Sequence, residues 1–332
     1  MALSNKKVSN CIPNDLVFSV MSKIPLKSLN RFKCVRKSWG LLFESPYFMN
    51  MYRKRVISDT SYDDDDTYLF LKKTRLDLEI YSFFYLFSGE RFDNKVMLDL
   101  PPPFHGDDRD INILGSGING ILCLYVDGFN SEVVVWNPAI EEFKVIPPSS
   151  VVSIPPHVGI VDKHHGFGYD CIRDDYKIVR YVDFHPNLCN FLEAWTNMTL
   201  SKVLYDPLWE IYSLKSNSWR KLDLDMTTFY RSPVHHPEQV YMNGVCHWLG
   251  RSETDTDNLY LVSFDLGNEV FFLTSIPLTM GDNIYFDLVD THLMMLNESI
   301  ALMSNNTQTS TFHISILGEI GVKESWTKLF II

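Results

Sequence analysis

Apolar positions along this chain follow two different periods, and the change falls near residue 67. Between Ile12 and Trp39 they recur at helical spacing. Leu16, Val17, Val20, Met21 and Ile24 lie along one side of a predicted first helix. Asn14, after Ile12-Pro13, is a good N-cap, because its side chain satisfies an orphan backbone N–H. Pro25 stops that helix and pre-sets the next, since proline is tolerated at a first helical position. The second helix carries Leu26, Leu29, Phe32 and Val35 on one face. A third segment holds Trp39, Leu42 and Phe43, and Pro46 starts a further turn with Phe48 and Met51. Roughly forty residues in short helices cannot bury all of these groups among themselves. The surplus predicts a partner, either the rest of the chain or another protein.

From Thr67 onward the pattern becomes short β-rich runs broken by turn residues. TYLFL (67–71), IYSFFYLF (80–87), ILCLYV (121–126), EVVVW (132–136), YKIVRYV (176–182), WEIYSL (209–214), LYLVSF (259–264) and LMMLN (293–297) are examples. Asn119-Gly120 and Asn243-Gly244 sit between apolar runs, a strong hairpin signal. An internal repeat is also present. Trp136 precedes Phe143, Tyr212 precedes Trp219 and Phe264 precedes Phe271, each by seven residues across a polar turn. The copies at 212 and 264 lie 52 apart, Asn243 has an analogue 54 further on at Asn297, and a last copy ends at the terminus. A β-rich repeat of about fifty residues predicts propeller blades of the kelch kind, each a four-stranded sheet. A β-sandwich with chance similarity among its hairpins is the alternative. The aromatics Trp136, Tyr212, Trp219, Phe264 and Trp326 are expected to pack between sheets. The fold class is then α+β as a whole: a small all-α segment over 8–52, an acidic linker over 53–66 with the run Asp63–Asp66, and an all-β domain over 67–332.

Charge sharpens that division. Residues 1–57 hold eleven Lys/Arg against two Asp/Glu, net +9, which leaves −20 for the remainder of a chain whose total is −11. An acidic main domain argues against a nucleic-acid surface. The densest apolar run, 80–87, is too short to span a bilayer, and the first eleven residues show no hydrophobic core of a signal peptide. Six cysteines are scattered with none in a C-x-x-C pair, so no zinc site, disulfide framework or cofactor is expected, and a cytoplasmic or nuclear compartment is the simplest reading.

The helical stretch, IPNDLVFSVMSKIPLKSLNRFKCVRKSW (12–39), resembles an F-box, the module with which substrate adaptors dock onto the Skp-type linker of cullin–RING ubiquitin ligases. NGILCLYV (119–126), VVVWNPAIEEFKVIP (133–147), GFGYDCIRDDYKIVRYV (166–182), WEIYSLKSNSWRKL (209–222), NGVCHWL (243–249) and SFDLGNEVFFLTSIP (263–277) are similar to successive motifs of the plant F-box-associated domain, the S-locus F-box-like group included. Family members run further past the SWTKLF motif, so closing strands are expected to be incomplete at the C-terminus. The resemblance implies a non-catalytic subunit of an SCF-type ligase, with a Skp-type linker and an unknown target protein as partners. It implies that Ile12, Pro13, Leu16, Ile24, Leu26, Leu29, Phe32, Val35 and Trp39 form or support the linker-binding face. Target contacts are expected on inter-strand loops, with 102–112, 147–165, 183–208, 227–238 and 251–258 as candidates.

Signals for chemistry are weak. Gly115-Ser-Gly-Ile-Asn-Gly120 fits a dinucleotide fingerprint, but a β run follows where that motif needs a helix, so a hairpin is expected. His164-His165 and His235-His236 lack a third ligand at metal-binding spacing and read as loop residues. Neither a nucleophile elbow nor a Cys/His constellation is legible. The alternatives to the adaptor are an interaction protein acting outside a ligase and a propeller hydrolase.

Overall fold

The structure is a computed structural model. It describes residues 14–21, 24, 28, 31–32, 34–45, 48, 69–76, 80–88, 91–102, 104–105, 109–126, 132–138, 140–150, 158–186, 206–223, 229–230, 239–252, 258–277, 289–306 and 311–331. These are mostly β, with two short helices, α1 (Asn14–Met21) and α2 (Lys37–Glu44). The linker 53–66, with its aspartate run, lies outside the described residues. One compact unit comprises Met1–Lys73, Phe83–Asp99 and Asn137–Glu142, and the other Thr74–Ser82, Leu100–Trp136 and Phe143–Ile332.

Five sheets follow one another in chain order. The first contains β1 (Leu69–Leu76), β2 (Ile80–Ser88) and β3 (Asn94–Leu98). The second contains β4 (Ile111–Ile113), β5 (Leu122–Val126), β6 (Val133–Asn137) and β7 (Glu142–Val145). The third contains β8 (Val158–Asp170), β9 (Asp175–Pro186), β10 (Leu208–Ser213) and β11 (Ser218–Leu222). In the fourth, β12 (Phe229–Tyr230) and β13 (Gln239–Met242) both pair with β14 (Val245–Ser252), which leads to β15 (Leu259–Asp265) and β16 (Val270–Ser275). The fifth contains β17 (Val289–Leu296), β18 (Ser299–Asn306), β19 (Thr311–Leu317) and β20 (Trp326–Ile331), so the SWTKLF segment supplies its fourth strand. Strands adjacent in a four-stranded sheet are adjacent in sequence, and within the second unit each sheet packs on the next, as consecutive propeller blades do.

Local turn chemistry explains the repeat. Asn119-Gly120, Asn243-Gly244 and Asn297-Glu298 join first strands to second, and both residues of each pair have positive φ (53° and 75°, 50° and 83°, 47° and 58°). That is the two-residue hairpin whose twist matches the strands. The seven-residue aromatic spacing belongs to a second hairpin. Tyr212 faces Trp219 and Phe264 faces Phe271 directly across the ladder, with ring centroids 5.2 and 4.7 Å apart. Four turn residues intervene, the last left-handed: Asn217 at φ 54° and Glu269 at φ 60°, with Glu141 at 59° after Trp136. The residue after each first aromatic steadies the turn. Asp265 Oδ1 accepts the N–H groups of Gly267 and Asn268 at 2.8 and 2.9 Å, and Ser213 Oγ that of Ser216 at 3.1 Å. Tyr169 and Tyr176 make a fourth pair of the same kind, with Asp174 at φ 53° and Asp170 Oδ1 accepting from Ile172 and Arg173.

The core lies between sheets. Leu114, Cys123, Tyr125 and Val135 of the second sheet meet Phe167, Tyr176, Ile178 and Tyr212 of the third. Val179, Tyr181, Trp209 and Ile211 of the third meet Cys246, Trp248, Val262 and Phe264 of the fourth. Leu249, Leu259 and Leu261 of the fourth meet Leu293, Ile300 and Leu302 of the fifth. Trp136, Tyr212 and Phe264 are buried as expected, whereas Trp219 and Trp326 are only half-buried, because they stand on the outer strands β11 and β20. His165 is not a loop residue. It sits wholly buried on β8 with ring centroids 4.8 Å from Trp209 and 5.4 Å from Trp248. Its pair partner by sequence, 235–236, lies outside the described residues.

The glycine pattern 115–120 is a hairpin approach, as its sequence context implies, and β5 follows it. Gly115 has φ +72°, and a methyl group there would lie 2.5 Å from Gln239 Oε1. The Gln239 amide on β13 bonds both the N–H and the C=O of Phe167 on β8, at 2.9 Å each. One side chain therefore joins the third and fourth sheets while resting against the end of β4. Gly115→Ala is expected to cost about 1–3 kcal/mol through overpacking and a left-handed backbone. An unchanged urea midpoint would remove that packing role.

Candidate functional site

Two features go beyond generic packing. The first is the helical module. Its apolar residues span a wider arc than its small core can use. Val17, Met21, Phe43 and Phe48 are buried together, with Phe18, Ile24, Phe32, Trp39 and Leu42 packed around them. Phe48 lies edge-on to Phe18 at 5.3 Å, and Phe32 to Trp39 at 6.1 Å. Ser45 closes α2 by donating to Leu42 O at 2.7 Å and accepting from Phe48 N–H at 3.2 Å. Leu16 and Val20, one turn apart on α1, stay exposed, as do Val35 and Leu41. Among the expected face residues, Leu16 (58 %) and Val35 (63 %) are thus open to solvent, while Ile24, Phe32 and Trp39 support from the core side. Ile12, Pro13, Leu26 and Leu29 lie outside the described residues. Val20 and Leu41 join the exposed set; the sequence placed Val20 on the same stripe as Val17, and packing separates them.

The second feature is a pair of buried cations on β9, whose alternate residues face opposite neighbours. Lys177 faces the fourth sheet. Its Nζ donates to Asp170 Oδ2 at 2.7 Å, Leu266 O at 2.8 Å and Glu269 Oε1 at 3.0 Å. Arg173 bonds Asp170 and Gly267 O, and Arg220 pairs with Glu269. Burial by itself would raise the Asp170 carboxyl, but the hydrogen bonds from Lys177 and Arg173 outweigh it and hold the group below the ordinary range. Glu269 behaves likewise: burial opposes, and the bonds from Arg220 and Lys177 prevail. Arg180 faces the second sheet. Its Nε and Nη2 donate to Glu210 Oε2 at 2.9 and 2.6 Å, and its guanidinium lies 4.0 Å from the Trp219 ring. Glu210 Oε1 accepts the Ser149 hydroxyl at 2.9 Å, and Trp219 Nε1–H donates to Pro147 O at 2.8 Å. The lowered values of Asp170 and Glu269 make these two fixed charges, suited to orientation and not to proton transfer. Burial pushes the Cys123 and Cys246 thiols up, away from thiolate reactivity.

Sheet topology gathers the candidate loops. Connections from first to second and from third to fourth strands leave one end of each sheet and are short and regular. Those from second to third strands and from sheet to sheet leave the other end. The strand ends within or beside 102–112, 147–165, 183–208, 227–238 and 251–258 all belong to that second end, but parts of these ranges are strand and not loop: 111–112 in β4, 158–165 in β8, 183–186 in β9, 229–230 as β12 and 251–252 in β14. Of these ranges, residues 103, 106–108, 151–157, 187–205, 227–228, 231–238 and 253–257 lie outside the described residues. Among the described residues, no helix is long and apolar enough to cross a membrane.

Comparison with known proteins agrees with this architecture. The family described as F-box associated beta propeller domain matches residues 68–332. F-box protein CPR1 of Arabidopsis thaliana is 26 % identical over 331 residues, covering 96 % of this chain and 72 % of that protein. F-box only protein 8 of the same plant is 27 % identical over 287 residues, covering 83 % and 84 %. An α-L-arabinofuranosidase structure from Clostridium thermocellum aligns at a TM-score of 0.36 and 11 % identity, over 82 % of this chain and 95 % of that one, a likeness too low to transfer any property. With the family match spanning well over half its length, the chain belongs to the F-box associated beta propeller family, as a plant F-box protein.

Proposed function

We propose that this chain is the substrate-recognition adaptor of an SCF-type ubiquitin ligase, working in the cytoplasm or nucleus. Residues 8–52 dock on a Skp-type linker, 53–66 connect, and 67–332 capture a target protein through the loop-bearing end of the sheets. The chain itself breaks no bond. It raises the effective concentration of target lysines near a ubiquitin-charged enzyme. The observation that carries this reading is the exposed apolar set Leu16, Val20, Val35 and Leu41 beside a helical core in an F-box family chain. Such groups are stabilised by covering, at about 1.5–3 kcal/mol for each large side chain fully buried.

Leu16→Asp with Val35→Asp is therefore expected to weaken linker capture at least about 100-fold, since two carboxylates would be desolvated in the interface. Both positions are exposed in the free chain, so the melting temperature is expected to hold. Pulldown of a purified Skp-type linker by the full chain measures it. Capture by the double variant equal to that of the unchanged chain would sink the docking assignment and favour a role outside a ligase.

A further inference from the structure

The last hairpin of the fifth sheet breaks its own ladder. Along β20, Trp326 opposes Leu317, Thr327 opposes Ile316 and Lys328 opposes Ser315, after which Phe330 opposes Ile314 and Leu329 is left over. That is a β-bulge, in which two residues of one strand stand against one of the other. In an unbroken ladder Phe330 would oppose His313, on the face that carries Ser315 and Leu317 and packs against the fourth sheet. The extra residue turns Phe330 to the other face, beside Ile314, whose neighbour on that face of β19 is Phe312. Phe312 and Leu329 are each 39 % exposed and Phe330 55 %, with Ile314 half-buried between them.

A bulge on an edge strand can simply turn that edge away from other chains. Such a device is served by polar side chains, whereas this one presents Leu329 and Phe330 to solvent. The strands behind it, β18 and β19, contain no Asp, Glu, Lys or Arg in a chain that is 21 % charged. Depletion of charge around exposed aromatics is the compositional mark of an interface core. β20 is also the last strand of its sheet, so among the described residues no strand pairs with its outer edge. Phe312 and Phe330 stand at the end of the sheet where second strands connect to third. Size decides the occupant. At about 200 Å² for a whole phenylalanine, the two rings offer roughly 200 Å². A second folded copy would need about 800 Å² on each side. An extended segment needs less, because main-chain bonds along the edge supply the rest of its affinity.

We infer that the outer edge of β20, with Phe312, Ile314, Leu329 and Phe330 as its apolar contacts, accepts an extended, uncharged segment of another protein as a fifth strand. Alternate side chains of that segment fall on the face of Phe330. That the segment belongs to the target rests on the adaptor reading, whereas the edge site does not.

The probe is a set of fluorescent heptapeptides with leucine or valine at alternate positions and serine or threonine between, read by anisotropy against the full chain. A matched set is N-methylated at every second amide, in both phases, which keeps the side chains and removes ladder donors. The unchanged chain is expected to bind the first set at least about tenfold tighter than the second. Phe330→Ser is expected to weaken that binding at least about tenfold at an unaltered melting temperature, since the ring is exposed in the free chain. Deletion of Leu329 restores the unbroken ladder and is expected to lose binding while every aromatic ring is kept. Phe330→Ser decides where the deletion also lowers the melting temperature. Phe272→Ser, on the outer strand β16 and 42 % exposed, is expected to leave binding as it was. No binding of any peptide, equal binding of the N-methylated set, or equal losses from Phe330→Ser and Phe272→Ser overturns the edge site. The tightest peptide is then fused to a lysine-bearing carrier and offered with linker, cullin–RING and ubiquitin-charged enzyme. Carrier ubiquitination that Phe330→Ser abolishes supports the target assignment, and ubiquitination that it leaves intact overturns it. No ubiquitination despite intact peptide binding overturns the target assignment together with the adaptor reading and leaves the edge site standing.

Discussion

Lys177→Met is expected to lower unfolding free energy by about 3 kcal/mol, the low end for a broken buried ion pair. The ammonium is nearly inaccessible, and three acceptors depend on it: Asp170, Leu266 O and Glu269. Methionine keeps the stem and leaves a wholly buried carboxylate without its closest cation. The value sits at the low end because Arg173 still reaches Asp170 and Arg220 still reaches Glu269. Urea unfolding measures the loss, and adding Asp170→Asn, which removes the stranded charge, is expected to recover part of it. The same acids set the acid limb of stability. Both carboxyls lie below their ordinary values in the folded chain. Their contribution is therefore complete above the ordinary carboxylate pKa of roughly 4 and is lost as pH falls through the lowered folded values. The unchanged chain and Lys177→Met are expected to converge in acid. A constant gap between the two at all pH values would show that the network is not what the lysine stabilises.

Trp209→Ala is expected to cost about 3–5 kcal/mol, the range for emptying a buried aromatic site. Trp209 is the largest fully enclosed side chain among the described residues, and it lies on β10 where the third sheet meets the fourth. Its ring is 5.3 Å from Tyr181 and 4.8 Å from His165 on its own sheet, and 5.0 Å from Phe271 and 6.0 Å from Trp248 on the next. Those neighbours are held by their own strands and cannot collapse inward, so a cavity remains. The melting temperature is expected to fall by roughly 6–20 °C, at about 2–4 °C for each kcal/mol in a domain of this size. Trp209→Phe refills most of the volume and is expected to recover more than half of the loss. A midpoint within about 1 °C of the unchanged chain would contradict the view that this interface carries the second unit.

Legibility followed the range of the interaction. The Asn-Gly hairpins and the seven-residue aromatic spacing were readable because a hairpin is closed by its own turn: a left-handed residue, a strand-end Asp or Ser, and a cross-strand ring lie within eight residues of one another. The same pattern at Tyr169–Tyr176 was missed because the stretch before it, GFGYD, alternates glycine with aromatic and does not read as an apolar run. Only the neighbouring sheet explains those glycines. A methyl group at Gly168 would come within 2.3 Å of Leu266 and 2.8 Å of Tyr241, and one at Gly166 within 3.1 Å of Cys246. The long strand β8 thus owes its composition to a surface some seventy to a hundred residues away in sequence.

The helical module divides in the same way. Its sequence specified amphipathic helices and a surplus of apolar side chains, because periodicity is a property of one segment. Which apolar residues turn inward was left open, since Leu16 and Val17 differ by a single position on the helix. Packing against Phe43 and Phe48 settled it, burying Val17 and Met21 and leaving Leu16 and Val20 outside. Lys177 and Arg180 show the limit most plainly. In YKIVRYV they stand three positions apart, so the strand places them on opposite faces. A strand enclosed by sheets on both sides has no solvent face, so each charge must find its counterion on another element: Asp170 and Glu269 for one, Glu210 for the other. Local sequence determined the turns, the strands and the helical periodicity; the pairing of buried charge was decided by the tertiary structure, because it depends on surfaces that exist only once neighbouring sheets have met.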